Sequence, residues 1–91
     1  MIYEWDENKH GSNQAKHGLD FALARVFEWE SAFIQKDERR HYGEVRFKAL
    51  GFIDGRIHSL VFTRRNGIIR VIGLRKANAR ERKAYEKNRQ K

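Results

Sequence analysis

The chain has no cysteine and no proline among its 91 residues. Without cysteine there is no disulfide, no thiolate nucleophile and no cysteine metal site; redox functions fall away, and a reducing cytoplasm suits the composition. Without proline, and with seven glycines spread singly, no linker divides the chain. No internal repeat or low-complexity tract is visible either, so residues 1–91 read as one domain. Long apolar runs are missing: nowhere do about 18 apolar residues follow one another as a spanning helix requires. The start, MIYEWDENKHG, lacks the basic patch and apolar stretch of a signal peptide. Neither membrane insertion nor secretion is expected. Acid is scarce at the carboxy-terminal end, where residues 64–91 hold eleven Lys or Arg against only Glu81 and Glu86. The whole positive excess of the chain lies there, and charge concentrated in this way points to a polyanion or an acidic protein as partner.

What is present argues for a folded protein. Hydrophobic residues make up 40% of the chain, with six Phe, three Tyr and two Trp, enough for one core but not two. Ile2 to Trp5 reads as a short strand ended by Asp6 to Lys9. Asn13 can cap a brief helical turn running to His17, with Gly18 free to take positive φ. Asp20 can cap a second helix over Asp20 to Trp29, where Leu19, Leu23, Val26 and Phe27 form a one-sided apolar stripe. The period then turns extended, with strands expected at Ala32 to Gln35, Val45 to Ile53, Ile57 to Thr63 and Ile68 to Leu74. Asp54-Gly55 and Asn66-Gly67 favour tight hairpins, so the last three strands should form an antiparallel meander. A basic helix follows, capped by Asn78 with Glu81 reaching back in a capping box. It offers a narrow apolar face of Ala84 and Tyr85, and a cationic one of Arg80, Lys83 and Lys87.

The charges inside the meander carry the chemistry. In a regular strand Arg70 shares a face with Ile68 and Ile72, while Arg75 shares the opposite one with Ile69 and Val71. Unpaired burial of Arg70 is costly, so it lies on an open sheet face, pairs with an acidic residue, or binds an anion. Guanidinium forks suit phosphate oxygens, and they stay charged as negative charge builds in a phosphoryl transition state. If the polyanion is RNA, it carries its own nucleophile in the 2′-hydroxyl, so cleavage would require proton transfers but no bound metal. The histidines, His10, His17, His41 and His58, have no metal-ligand spacing, and phosphate-binding glycine loops are absent. Neither metal nor cofactor is expected. Nothing in the element order resembles a helix-turn-helix, so direct DNA reading is not expected.

The order of short motifs resembles the BrnT toxins of bacterial type II toxin–antitoxin pairs, ribonucleases related in fold to the RelE toxins. The marks are YEWDENK near the start, Asn13-x-x-Lys16-His17-Gly18, Phe21 through Val26-Phe27, and Asp37 followed by Gly43-Glu44-x-Arg46. Thr63-x-Arg65 and the run from Arg70 to Ala77 come next, and then Glu81-Arg82-x-x-Tyr85-Glu86. The resemblance implies an α+β, RelE-like fold: a small antiparallel sheet, two amino-terminal helices packed on one side, and the basic carboxy-terminal helix. It further implies a metal-independent endoribonuclease that inhibits translation. Its partners would be RNA and a cognate BrnA-like antitoxin in a hetero-oligomeric complex, with DNA met only through the antitoxin. The matched Arg65, Arg70 and Arg75 would sit at the phosphate, with Glu81 and Tyr85 completing the candidate catalytic group. His17, Arg64, Lys76, Arg80 and Lys83 are the candidate RNA contacts. The chain departs from the family's usual Ile-Ser-Ala-Arg at Ile72-Gly73-Leu74-Arg75, and Arg64 stands where relatives often carry an acid. The alternative function is a basic module that binds nucleic acid or a partner without turnover.

Overall fold

The structure, a computed structural model, describes residues 1–89. Its elements run β1 (Ile2–Trp5), α1 (Glu7–His17), a 3₁₀ helix (Phe21–Val26), β2 (Phe33–Lys36), β3 (Phe47–Ile53), β4 (Arg56–Arg65), β5 (Ile68–Lys76) and α2 (Ala79–Asn88). The strands form one sheet in the order β1-β5-β4-β3-β2, parallel only between β1 and β5. The expected meander is therefore present, and so is the RelE-like arrangement of amino-terminal helices, sheet and carboxy-terminal helix. Both hairpins turn on dipeptides at positive φ, 50° and 76° at Asp54 and Gly55, 51° and 79° at Asn66 and Gly67. Such angles match the twist of the paired strands.

The amino-terminal helices differ from expectation. Asp6, not Asn13, caps α1, its carboxylate accepting from the Asn8 and Lys9 amides. Asn13 lies within the helix and uses its side-chain amide like a piece of strand, donating to the Leu74 carbonyl and accepting from the Leu74 amide. This satisfies the edge of β5 beyond its pairing with β1, which covers only Ile68 to Val71. Asp20 does cap the next element, but that element is a six-residue 3₁₀ helix, not an α-helix reaching Trp29. The reason is the period: the buried residues are Phe21, Ala24 and Phe27, spaced by three as three residues per turn demands, while Val26 is 59% exposed.

Two apolar clusters pin the sheet. On one face Phe21, Ala24 and Phe27 pack on Ala49, Leu60, Phe62, Val71 and Leu74. Gly51 permits this closeness, since a Cβ there would stand 2.7 Å from the Phe27 ring. On the other face α2 covers only part of the sheet, laying Tyr85 on Leu50, Ile57 and Ala77 with Phe52 edge-on to its ring. The rest of that face is open.

One irregularity decides which side chains reach the open face. β4 and β5 pair Val61 with Gly73 but Phe62 with Val71, leaving Ile72 as an extra residue in a bulge. The alternation of β5 flips there. Arg70 pairs with Thr63, Gly73 with Val61 and Arg75 with Ser59, all odd positions of β4 and so all on one face. Arg75 therefore does not share a face with Ile69 and Val71, as an unbroken strand would have it; the bulge carries it round to join Arg70.

Candidate active site

The open face is a row of cations, each held by a carboxylate. Arg75 makes a two-pronged contact with Glu81, Nη1 to Oε1 at 2.6 Å and Nη2 to Oε2 at 2.7 Å. Lys48, projecting from β3 opposite Val61, ion-pairs with the same carboxylate. Arg70 donates to Glu4 at 2.9 Å, and Arg65 to Glu44 at 3.0 Å. Two of the three outcomes envisaged for Arg70 hold together: it lies on an open face and it is paired.

Glu81 is the organising residue. The Asn78 side chain accepts from the Glu81 amide while Glu81 Oε1 accepts from the Asn78 amide, so the capping box forms as expected. The same side chain turns its oxygens to the sheet. Burial pushes the Glu81 carboxyl up, but the Arg75 fork, Lys48 and the Asn78 amide together hold it down at about 2. It is a permanent carboxylate at neutral pH. Such a group orients cations well and is a weak proton acceptor.

Other candidates lie elsewhere. Tyr85 is 2% exposed, its ring part of the cluster beneath α2 and not of the open face. Arg64 and Lys76 occupy even positions in the β4 and β5 register, paired with Ile69 and His58, so they fall on the helix-covered side. There Arg64 borders an apolar notch with Trp29 and Phe62, and Lys76 borders a cleft with Leu19 and Leu23. Arg80 and Lys83 are exposed on α2; helical geometry sets Lys83 opposite the buried Glu81 and Tyr85, and Arg80 to the side. His17 is exposed in the last turn of α1, and no hydrogen bond or ion pair engages its side chain among the described residues. The structure thus brings Arg65, Arg70, Arg75 and Glu81 onto one face and separates from them Tyr85, Lys76 and Lys83, while Arg64, whose strand position faces the helix-covered side, also borders a hollow with Arg65 at the strand end.

Sequence reasoning missed Lys48, Glu4 and Glu44 as members of the group. A signal for Lys48 existed: it is a lone charge between Phe47 and Ala49 in an apolar strand, the same pattern that drew notice to Arg70. Glu4 and Glu44 reach their arginines from 66 and 21 residues away, distances at which local pattern is silent.

Among the described residues no cluster of three or more His, Cys, Asp or Glu side chains is disposed to hold a metal ion. No helix there is long and apolar enough to cross a membrane. A family model described as the ribonuclease toxin BrnT of type II toxin–antitoxin systems matches residues 5–81. No curated protein matches the chain.

Proposed function

Because the chain belongs to the BrnT family of ribonuclease toxins, we propose that the open sheet face is where it cleaves RNA: the substrate's own 2′-hydroxyl attacks the adjacent phosphate, the bond to the 5′-oxygen breaks, and water takes the 2′ proton and protonates the leaving oxygen. The observation that carries this reading is the bulge at Ile72, which sets Arg70 and Arg75 on one face beside Lys48. Arg75 and Lys48 neutralise the phosphoryl oxygens as charge builds on them, and Arg70 and Arg65 hold the chain on either side of the scissile bond. Glu81 fixes the direction of Arg75 and Lys48 and takes no proton. Tyr85 holds α2 on the sheet. The reaction is metal-independent, because protein cations supply the charge neutralisation that a metal would otherwise provide.

Toxins of this family are paired with an antitoxin. We place that partner, a BrnA-like protein, over the cationic face with acidic side chains that compete with phosphate for the arginines, and we assign DNA binding to it. Cleavage of cytoplasmic RNA would then stop translation whenever antitoxin is depleted. An end-labelled RNA incubated with the folded protein in EDTA tests this. Discrete products ending in a 2′,3′-cyclic phosphate, suppressed by the protein of the adjacent gene, are expected; intact RNA across several substrates, ribosomes included, would point to a binding module without turnover.

A further inference from the structure

Beyond the arginine row lies a cleft of about 610 Å³, bordered by residues 36–38 and 40–46. The loop between β2 and β3 builds it around two internal ties. Asp37, its side chain 2% exposed, accepts both prongs of Arg39 at 2.7 Å and the Tyr42 hydroxyl at 3.2 Å. Arg46 lays its guanidinium over the Tyr42 ring, 4.1 Å from the centroid. The ring is half-exposed, clamped at its hydroxyl and backed by a cation, and it faces the cleft.

This loop is joined to the open face. Glu44 accepts from Arg65 at 3.0 Å and from Arg46 at 3.4 Å, and Val45 accepts from Thr63, the partner of Arg70 across the β4–β5 ladder. A second hollow of about 600 Å³ shares Gly43, Glu44 and Val45 with the first and reaches Thr63, Arg64 and Arg65 at the end of β4. A polyanion extended along Arg75, Arg70 and Arg65 would meet this loop, and with it Tyr42.

The charge of the cleft says what fits there. Lys36, Arg40 and Arg46 are matched by Asp37, Glu38 and Glu44, so it is no phosphate site. A flat ring backed by a guanidinium, among donors and acceptors of both kinds, is suited to an unpaired nucleobase. Resting on the ribonuclease reading above, we propose that Tyr42, with Arg46 behind it, stacks on a base of the RNA flanking the cut and thereby sets sequence preference. Tyr42 is a specificity residue, remote from the reacting phosphate.

The test compares the wild-type protein with Tyr42→Leu and Tyr42→Phe on a randomised RNA pool, with cut sites read by sequencing and KM and kcat measured on one preferred substrate. Tyr42→Leu should raise KM at least about fivefold, the effect of one lost base–aromatic stack, and flatten the preference at one flanking position, with kcat within about twofold. Tyr42→Phe, which keeps the ring, should retain the wild-type pattern. Unchanged KM and unchanged preference in a folded Tyr42→Leu would overturn the proposal. Photo-crosslinking of 4-thiouridine RNA to the wild-type protein needs no variant: label in the tryptic peptide 41–46 is expected, and label confined to other peptides counts against the site. Should the wild-type protein bind RNA without cutting it, the nuclease reading fails while the base site stands or falls on that crosslink; no RNA binding overturns both.

Discussion

The central strands present two unlike faces. Toward the amino-terminal helices they turn Ala49, Leu60, Phe62, Val71 and Leu74, none more than 2% exposed. On the opposite side the same strands turn Lys48, Arg70 and Arg75, with side chains 27%, 31% and 34% exposed and all ion-paired. The dry face supplies burial and holds the fold; the wet one stores charge that burial would have made costly. On the proposed reading, alternation along a strand divides stability from chemistry between neighbouring residues, and changes on the two faces should have different consequences.

The largest stability effect belongs to the dry face. Phe21→Ala should cost about 3–5 kcal/mol in urea unfolding, while molecules that remain folded cleave RNA at the normal rate; loss of activity in the folded fraction would deny the separation. Arg75→Ala should do the reverse. Cleavage should fall by about 10² to 10³, the usual cost of removing one group that stabilises transition-state charge, while stability falls by about 1–3 kcal/mol, the cost of leaving the buried Glu81 carboxylate short of a partner.

Gly51→Ala sharpens the contrast from the packed side. Its Cβ would collide with the Phe27 ring, so it should destabilise by about 1–3 kcal/mol and leave RNA affinity unchanged in a binding assay. Acid probes the charged side. Glu81 titrates in the folded protein at about 2, below the ordinary 4.5, and Asp37 at about 2, below 3.8, chiefly through its hydrogen bonds with Arg39. Depressed carboxyl values add stability above the ordinary range that is lost as protons are taken up. Melting temperature should therefore fall between about pH 4.5 and 2, and Glu81→Gln should make that fall shallower.

Much of this division was legible beforehand. Asp54-Gly55 and Asn66-Gly67 announce the meander because their backbone preferences are local, and Asn78 with Glu81 announces α2 for the same reason. The nature of the 3₁₀ helix was harder, since Leu19, Leu23, Val26 and Phe27 satisfy an α-helical period as well as Phe21, Ala24 and Phe27 satisfy a tighter one. Only packing on Ala49 and Leu60 chooses between them. The proposed site was half legible. Arg65, Arg70, Arg75 and Glu81 were named, but the face of Arg75 was not, because the bulge at Ile72 depends on how β5 meets β4. Arg64 was drawn in as an added charge beside Arg65 and Lys76 as the neighbour of the matched Arg75, and strand parity turns both to the other side.

That parity is the claim to test most directly. Initial rates of RNA cleavage should be measured side by side for Arg70→Ala, Arg75→Ala, Arg64→Ala and Lys76→Ala, all confirmed folded, at one ionic strength. The first two should lose at least about 100-fold, and the second two no more than about threefold, the loss of one peripheral phosphate contact. Equal losses in all four would mean that total charge, and not the face built by the bulge, governs the reaction.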